Sequence, residues 1–277
     1  MKKVSIVIGT KNEEKNIKLL LESIKAQTYE NIETIIVDNF STDNTKKISL
    51  TYQVKFYEIG PERSTQRNYG VEKSSGEYVL ILDADMVLEP KLVADCVTKF
   101  LTNKKAKALI IPELSFGEGY WSECKALERN CYLNDTGDIY APRFFYRKTF
   151  LDVGGFNKEM ISGEDWDLRN RIIKSGNEID RIETFIHHNE GNRGLIDMLK
   201  KKIYYAQNAG PYIENNVKGI KDIINFVLRP ALYKNIKMLA KHPLHLPGVF
   251  FMVYTEFLVG FLAGIIFKKE FWSKIFK

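Results

Sequence analysis

The chain has 277 residues, which allows one large domain or one domain with an appendage and leaves ample material for a hydrophobic core. Charged residues make up 27% and hydrophobic residues 44%, so the composition requires no disordered part. The formal net charge of +6 is unevenly placed, because residues 200–241 contain nine Lys or Arg against Glu214 and Asp222. That region favours an anionic surface. Since no nucleic-acid-binding motif or aromatic-basic repeat occurs, we expect no nucleic acid as partner.

The N-terminus and the cysteines indicate a cytosolic catalytic part. MKKVSIVIG contains a short apolar run but turns charged at Lys11, so it is interpreted as a first strand and not as a signal peptide. The three cysteines, Cys96, Cys124 and Cys131, lack metal-ligand spacing and leave an odd one out. Reduced thiols are the simplest account.

Five apolar runs are separated by helix-like stretches of suitable length. The runs cover residues 4–8, 32–37, 54–57, 78–82 and 108–111. Because strand and helix alternate, the sequence predicts an α/β fold with a mostly parallel sheet that is covered by helices on both faces.

The first two strand-to-helix junctions are rich in polar residues. The first strand leads into GTKNEE and the second into DNFSTDNT. Helix capping explains four of the polar side chains, those of Thr10, Asn12, Ser41 and Asp43. It does not explain Asp38, which ends the second strand and could accept hydrogen bonds from a nucleobase.

The segment GEYVLILDADMVL, residues 76–88, places Asp83 and Asp85 one residue apart at the end of a buried strand. Carboxylates there would emerge at the carboxyl edge of the sheet, where open α/β folds bind ligands. Two hard oxygen ligands could hold Mg²⁺ or Mn²⁺ against a diphosphate. On spacing alone, capping of the following turn is an equal alternative.

Four blocks of sequence together resemble family 2 glycosyltransferases, which have the GT-A fold. They span residues 4 to about 190 in the family's order and read VSIVIGTKNEEKNI, ETIIVDNFSTDNT, RNYGVEKSSGEYVLILDADMVL and FYRKTFLDVGGFNKEMISGEDWDLRNRI. The resemblance implies a catalytic domain over residues 1–190 that binds a UDP- or GDP-sugar across the sheet edge and uses Mn²⁺ or Mg²⁺. Thr10, Glu13 and Asp38 would line the nucleoside pocket.

The same resemblance implies roles in metal and diphosphate binding. Asp83 and Asp85 match the family's DxD motif. Asp85 would be the direct metal ligand, and Asp83 would lie nearer the ribose or hold the metal through water. Arg67, in the RNxG block, would reach the diphosphate or order the DxD loop, with a surface salt bridge as the structural alternative.

The segment around Glu164 and Asp165 precedes a helix pattern, where acidic residues in the first turn are stabilised by the helix dipole. It also resembles the family's ED motif, whose aspartate acts as the base. That residue is Asp165 here, with Glu164 beside it. Sugar transfer with inversion needs a base for the acceptor's proton and a metal for the leaving diphosphate. A phosphate acceptor would already be ionised, so the base would then matter less.

Two histidines follow an apolar run in FIHHNEGNRGL, where a histidine is usually structural. Family 2 enzymes place a histidine in a similar HxEG-like context, and imidazole is an acceptable Mn²⁺ ligand. The resemblance therefore implies a metal role for His188 ahead of His187. Arg193 and the lysines at 200–202 would bind diphosphate or acceptor phosphate, or form a solvated basic face.

The chain also departs from the family's pattern. Gly9 stands where many relatives have proline, and Asn39-Phe40 replaces a common Asp-Gly, which leaves the identity of the base recognised open. No Arg-Trp pair occurs in the chain, so the QxxRW motif is absent. This absence argues against a processive polysaccharide synthase.

Residues 191–277 form a basic and hydrophobic region. Residues 194–207 are typical of a basic helix, and residues 219–240 mix apolar residues with lysine and arginine around Pro230. Residues 246–267 then carry a single charge, Glu256, over 22 positions, which is long enough to cross a hydrocarbon core. Lysines on both sides give no clean orientation, so a single span, an in-plane or re-entrant helix pair and a buried helix of a soluble protein all stay open.

The sequence thus predicts a membrane-associated glycosyltransferase with its catalytic domain in the cytoplasm. It would be inverting, dependent on a divalent metal, and active on a lipid-linked acceptor, either a polyprenyl phosphate or a saccharide on a polyprenyl diphosphate. A soluble transferase acting on surface polysaccharide or protein is one alternative. A nucleotidyltransferase is another, although TKNEEKN is acidic where a triphosphate loop should be cationic. A catalytically silent binding module on the same fold is a third.

Overall fold

A computed structural model describes residues 1–133, 141–207 and 228–267 of the chain. The described residues group into two compact units. The first comprises Met1–Leu114, Gly137–Glu159 and Glu164–Asn189, and the second Ser115–Thr136, Met160–Gly163 and Glu190–Lys277. One division thus falls beside residue 190, the boundary predicted between catalytic and membrane-associated regions, but the second unit also takes in an earlier segment. The assignment of those functions to the two parts stays a prediction.

A seven-stranded sheet forms the centre of the first unit, in the order β3-β2-β1-β4-β8-β6-β9. Its strands are β1 Val4–Thr10, β2 Ile32–Asp38, β3 Val54–Glu58, β4 Tyr78–Asp83, β6 Ala106–Ile110, β8 Phe144–Tyr146 and β9 Glu178–Arg181. Strands β1 to β4 pair in parallel, β6 pairs with β9 in parallel, and β8 alone runs antiparallel to its neighbours. The predicted mostly parallel sheet is confirmed.

Helices cover both faces of this sheet because its strands are apolar on both faces. Ile6 and Leu80 pack on one face against Leu20 of helix α1. Val7 and Val79 pack in a separate cluster on the other face. The helices of this unit are α1 Ile17–Lys25, α2 Thr45–Ser49, α3 Arg63–Lys73, α4 Leu92–Thr102, α6 Arg147–Asp152 and α7 Glu164–Lys174. Fully buried strands of this kind are typical of parallel sheets.

Glycine brings α3 close to the sheet. A Cβ atom at Gly70 would lie 2.3 Å from Cγ1 of Val7 on β1, so only glycine permits this approach. The glycine of the RNxG block therefore has a packing role. It holds the helix that carries Arg67 directly over the strands.

The two polar loops after β1 and β2 bind each other. The backbone N–H of Asn12 donates to Ser41 Oγ at 2.7 Å, and the N–H of Thr42 donates to Asn12 Oδ1 at 2.8 Å. Helices α1 and α2 begin after Asn16 and Asn44, neither of which makes a side-chain cap. The capping explanation of Thr10, Asn12 and Ser41 is therefore wrong, because these side chains cross-link the loops instead. Asp43 does accept from the N–H of Thr45 in α2, as capping predicts.

A second, three-stranded sheet has the order β5-β10-β7. Its strands are β5 Met86–Leu88, β7 Glu113–Phe116 and β10 Ile186–Asn189. Strand β10 pairs antiparallel with β5, so that His188 lies opposite Met86 and His187 opposite Val87. The apolar periodicity did not predict this sheet, because its strands are only three or four residues long.

The described part of the second unit is helical. Its helices are α5 Tyr120–Asn130, α8 Leu195–Gln207, α9 Pro230–Lys234, α10 Ile236–Leu239 and α11 Leu246–Phe267. They share a core that includes Cys124, Met198, Leu232 and Met252. The basic helix predicted over 194–207 is confirmed, whereas residues 219–227 of the segment predicted over 219–240 lie outside the described residues. Within the described residues, one helix, α11, is long and apolar enough to cross a membrane.

Candidate active site

Strand register brings the predicted nucleotide and metal residues to one edge of the large sheet. Thr10 lies opposite Asp38, and Gly9 lies opposite Asp83. All three strands run parallel, so their carboxyl ends meet there. The chain continues from β4 through Asp85 into the small sheet, whose strand β10 returns His188 to the same place.

Thr10 and Asp38 form a closed pair at this edge. Thr10 Oγ1 donates to Asp38 Oδ1 at 2.7 Å, and the N–H and hydroxyl of Ser41 donate to the same carboxylate at 2.7 and 2.6 Å. Both side chains are buried. Their predicted contact with a nucleoside stays a prediction. What the contacts establish is that Asp38 shapes the loop on which a nucleoside would rest.

Glu13 lies on the loop after β1, close to that pair in sequence. Its backbone N–H donates to Thr45 Oγ1 at 2.8 Å, and its carboxylate accepts from Asn16 at 2.9 Å. The loop also contains Asn12 with a positive φ of 54°, a conformation in which asparagine is enriched. Glu13 is therefore held in a braced loop, and its predicted nucleoside contact stays untested.

Arg67 joins Asp83 to the Glu164–Asp165 pair. Its Nη2 lies 2.6 Å from Asp83 Oδ1, and its Nη1 lies 3.2 Å from Asp165 Oδ1 and 3.6 Å from Glu164 Oε1. The guanidinium also sits 5.2 Å from the ring centroid of Phe156. Only 2% of the Arg67 side chain is exposed, so its ion pairs are buried and are not a surface salt bridge. Of the two predicted roles, the geometry favours ordering the loop over reaching a diphosphate.

Arg143 continues this network to the histidine. Its Nη2 lies 3.3 Å from Asp83 Oδ2, and its Nε lies 2.6 Å from Glu113 Oε1. Burial alone would raise the pKa of Asp83, but the charges of Arg67 and Arg143 outweigh burial and hold that pKa well below its ordinary value. Asp83 is therefore an anion locked between two arginines, and it has little freedom to rearrange around a ligand.

His188 and Asp85 end the network. Nδ1 of His188 lies 2.9 Å from Glu113 Oε2, and Nε2 lies 3.4 Å from Asp85 Oδ2. A carboxylate on one ring nitrogen fixes the tautomer and frees the other nitrogen to face a cation, the arrangement usual for metal-ligating histidines. His187 instead faces Glu89, at 3.4 Å, away from Asp85. The preference for His188 over His187 thus has a geometric basis.

The residues present fit a divalent cation. In the described part of the chain, Oδ1 of Asp85 is buried and has no hydrogen-bond partner, which is costly unless a ligand satisfies it. No group of three or more His, Cys, Asp or Glu suited to a metal occurs among the described residues. Asp85 and His188 would therefore supply two ligands and leave the rest to phosphate oxygens and water, as is common for Mg²⁺.

Asp165 and Glu164 are neighbours in sequence but differ in environment. Glu164 is almost wholly buried and accepts from Arg63 at 3.0 Å, whereas 37% of the Asp165 side chain is exposed. Burial and the charge of Asp165 raise the pKa of Glu164. Because a base must reach a substrate, the geometry supports Asp165 as base and gives Glu164 the role of positioning α3 against α7.

Sequence reasoning missed Arg143, Glu113 and Arg63. Arg143 and Glu113 lie in no block of the family pattern, and each looks like an ordinary charge beside a short strand. Arg63 lies four residues before Arg67, so helical spacing places both on one face of α3. That spacing is the only signal in the sequence that could have found one of them.

The other predicted phosphate-binding residues lie in the second unit. The backbone N–H of Arg193 donates to Ser122 Oγ at 2.9 Å. Lys200 is largely exposed, with its Nζ 3.8 Å from Asp197. These positions fit a solvated basic face, and a role in phosphate binding stays a prediction.

The fold and the site together are typical of one class of protein. A mostly parallel sheet with helices on both faces, a DxD segment at its carboxyl edge and an acidic helix N-terminus beside it constitute the GT-A arrangement. The model for the family described as Glycosyl transferase family 2 matches residues 5–153, more than half of the chain. The chain belongs to glycosyl transferase family 2.

Sequence relatives are glycosyltransferases of bacteria and archaea. The chain is 28% identical to the glycosyltransferase GlyA of Streptococcus pneumoniae over 78% of its own length and 30% of that protein's. It is 28% identical to an uncharacterized glycosyltransferase of Methanocaldococcus jannaschii over 73% of its own length and 76% of that protein's. A Rickettsia conorii relative is 26% identical, and the chain spans 35% of it. The chain thus covers about a third of two of these three relatives.

Solved structures share the fold. S. aureus TarS 1-349 in complex with UDP superposes with a TM-score of 0.56 at 21% identity, over 74% of this chain and 64% of that one. The mannosyltransferase PcManGT from Pyrobaculum calidifontis, in complex with GDP-Man and Mn²⁺, superposes with a TM-score of 0.60 at 19% identity, over 95% of this chain and 76% of that one. At these identities the likeness establishes the fold alone.

Proposed function

We propose that this chain is an inverting glycosyltransferase that moves a sugar from a nucleoside-diphosphate sugar to a lipid-linked acceptor, using a divalent cation. The observation that carries the proposal is the pair of features at the two ends of the Arg67 network. At one end, Asp85 presents a buried oxygen without a partner beside His188. At the other end, Asp165 is the exposed carboxylate of the ED pair. The leaving diphosphate needs a cation, which Asp85 and His188 would hold. The acceptor needs a base that it can reach, which Asp165 would supply.

Each residue of the network has a defined task in such a reaction. A cation bound by Asp85 and His188 would stabilise the negative charge of the leaving diphosphate. Arg67 holds Asp83 and Asp165 in fixed positions, so neither has to be ordered when substrate binds. Asp165 accepts the proton of the acceptor hydroxyl as its oxygen attacks the anomeric carbon from the face opposite the nucleotide. Glu113 orients His188.

The donor is a UDP- or GDP-sugar. Two structures with the same fold were solved with UDP and with GDP-Man and Mn²⁺, which supports both nucleotides equally. The chain's own Asp85 and His188 offer one oxygen and one nitrogen ligand, a set that Mn²⁺ accepts more readily than Mg²⁺. We therefore propose Mn²⁺ as the preferred ion.

A lipid-linked acceptor explains why the chain combines such a site with a long apolar helix. Nucleotide sugars are cytosolic, whereas polyprenyl phosphates and their saccharide diphosphates lie in the bilayer. The 22-residue apolar helix α11 supports a membrane-associated protein whose catalytic unit faces the cytoplasm. A soluble transferase acting on polysaccharide or protein is the alternative, and family membership argues against a nucleotidyltransferase.

Calorimetry and thermal unfolding with a panel of UDP, GDP and their sugars, each with Mn²⁺, Mg²⁺ or EDTA, test the proposal. We expect one nucleotide to bind and to raise the melting temperature only when the metal is present. Transfer assays with polyprenyl phosphate, saccharide-linked polyprenyl diphosphate and free sugars then define the acceptor. If no nucleoside diphosphate binds under any condition, the glycosyltransferase proposal falls; equal transfer to free sugars removes the lipid-linked acceptor.

A further inference from the structure

Helix α11 has one exposed side, although almost every residue in it is apolar. The exposed side chains are Phe251 at 58%, Leu258 at 54% and Leu262 at 48%. Positions separated by seven and four residues lie on one face of a helix, so these three form one stripe, with the half-buried Thr255 between Phe251 and Leu258. A helix at the surface of a soluble unit would carry polar residues there. An exposed apolar stripe of this kind indicates a surface that binds a membrane or another protein.

The opposite side of α11 is fixed within the second unit. Val249 and Met252 are fully buried in the core of that unit. Glu256 is also buried, and its two carboxylate oxygens lie 3.1 and 3.2 Å from Nζ of Lys125 on α5. Lys125 in turn lies 3.1 Å from Glu128. The single charge of α11 therefore points into protein and is satisfied there.

These contacts argue against a transmembrane orientation of α11. If the helix crossed a bilayer, α5 and α8, which pack along it, would enter the hydrocarbon with it. Helix α8 carries Asp197 and Lys200, whose side chains are 66% and 73% exposed. Exposed charges of this kind are expelled from a hydrocarbon core. The exposed stripe is therefore the part of α11 that can contact a membrane.

A basic segment lies beside the stripe. Tyr233 of α9 has its hydroxyl 2.6 Å from that of Tyr254 on α11, and its ring packs against Phe250 at 5.6 Å between centroids. Residues 228–245, which include α9 and α10, contain no acidic residue. Their lysines, Lys234, Lys237 and Lys241, are all exposed. An apolar stripe with cations along its side is complementary to a bilayer surface that contains anionic lipids.

We propose that the second unit docks on an anionic bilayer surface with α11 lying in the plane of the membrane, its stripe of Phe251, Leu258 and Leu262 among the acyl chains and Lys234, Lys237 and Lys241 on the headgroups. The inference deepens the membrane association on which the proposed function rests. It decides between a helix that crosses the bilayer and one that lies on it.

Sedimentation of the full chain with vesicles of phosphatidylcholine, with and without phosphatidylglycerol, tests the docking. We expect binding that requires phosphatidylglycerol and weakens as salt rises. Phe251→Ser with Leu258→Ser should lower the partition coefficient by on the order of tenfold or more, because two apolar side chains leave the membrane. The matched control is Leu19→Ser with Leu101→Ser, two equally exposed apolar residues of the first unit, which should bind like the parent.

Reversing the lysines tests the charges separately. Lys234→Glu with Lys237→Glu should lower the partition coefficient by roughly tenfold or more, whereas Lys18→Glu with Lys25→Glu on α1 should have no such effect. Thermal unfolding of each variant establishes that it is folded. Unchanged vesicle binding by the folded stripe and lysine variants would overturn the proposal. So would a stripe variant that loses only self-association in the absence of lipid, because the stripe would then bind a second copy of the chain.

Extraction distinguishes lying on the membrane from crossing it. Membranes carrying the full chain should release it at alkaline pH or high salt, and retention in both would show a spanning helix instead. Vesicle binding uses neither Asp85 nor Asp165, so Asp85→Ala should bind vesicles like the parent. A chain that binds vesicles but no nucleotide would refute the proposed function and leave the docking intact.

Discussion

The described residues contain a network of buried charge in each unit, and the two differ in whether they are closed, that is, whether every carboxylate faces a cation. In the second unit, Lys125 lies 3.1 Å from both Glu128 and Glu256, and Arg229 lies 3.5 Å from Glu128. Both carboxylates there face a cation. In the first unit, the network around Arg67 ends in an unsatisfied oxygen of Asp85 and a part-exposed Asp165. The second network links α5 to α11, and the first leaves an oxygen of Asp85 that a ligand could satisfy.

Whether every buried charge is paired helps to separate networks that serve stability from networks that serve function. Burying a charge is unfavourable unless an opposite charge compensates it. In a closed network the ion pairs only offset this cost of burial. An open network retains groups that a substrate or metal can satisfy, at some expense of stability. The following changes should therefore affect activity in the first unit and stability in the second.

Asp85→Ala should have the largest effect. Removing both carboxylate oxygens, of which one is unsatisfied, should abolish metal-dependent nucleotide binding and lower kcat/KM by a factor of about 10³ or more. The free energy of unfolding should stay the same or rise, because an orphaned buried group disappears. Calorimetry with nucleotide and Mn²⁺, together with denaturant unfolding, measures both. Full binding in the variant would remove Asp85 as a metal ligand.

Asp165→Asn should separate chemistry from binding. The amide keeps the shape but cannot accept a proton, so transfer to a hydroxyl acceptor should fall by about 10²–10⁴ while nucleotide affinity changes little. The readout is kcat beside the nucleotide dissociation constant. Glu164→Gln, the neighbouring substitution, should mainly change stability. Parental turnover in Asp165→Asn would mean either another base or a phosphate acceptor, which a phosphate-acceptor assay distinguishes.

Arg67→Lys should reveal positioning. Lysine keeps the charge but cannot bridge Asp83 and Asp165 as a planar fork does, so kcat should fall by about 10- to 100-fold. KM for the donor should change less, because Arg67 is buried. A variant that raises KM and leaves kcat unchanged would instead place Arg67 on the diphosphate.

Glu256→Gln should break the closed network. Lys125 would keep only Glu128, and the free energy of unfolding should fall by about 3 kcal/mol. Nucleotide binding by the folded fraction should be unchanged. Lys148→Ala, which removes an exposed ion pair, serves as a control that should leave the stability unchanged. A loss of nucleotide affinity in Glu256→Gln would show that the closed network also serves the site.

The pH dependence of stability should give the smallest signal. Burial alone would raise the pKa of Glu128, but Lys125 and Arg229 lower it to about 2 from an ordinary 4.5. A carboxyl whose pKa is lowered on folding contributes stability above its unfolded pKa and loses it as the pH falls. We therefore expect a loss of about 2 kcal/mol between pH 4.5 and 2 from this group. Glu128→Gln should flatten the curve there and Glu30→Gln should not, as denaturant unfolding at several pH values would measure.

Much of the fold and part of the site followed from local sequence. Strand and helix alternate with a clear period, and each apolar run of the large sheet is found as a strand within a few residues. Asp85, Asp165 and His188 stand in segments that resemble motifs of the family, and the roles that this resemblance implies for them stay predictions. The short strands were missed, both the three of the small sheet and β8 and β9 of the large one, because three or four residues carry too little periodicity.

Glu113 and Arg143 show why the rest could not be predicted. They lie 30 residues apart, and each looks like any other surface charge in the sequence. They become part of the site only because β7, β8 and β10 bring Glu113 within hydrogen-bond distance of both Arg143 and His188. A contact between residues far apart in the chain depends on strand order and register, which no local pattern specifies.

The α/β architecture and the family followed from the sequence alone, because they depend on apolar periodicity and on motifs of adjacent residues. Only the tertiary structure decided which carboxylate of the ED pair is open, which histidine faces Asp85 and which side of α11 is exposed. Those distinctions separate residues that are neighbours in sequence. They depend on burial and on pairing with distant charges, which exist only once the chain has folded.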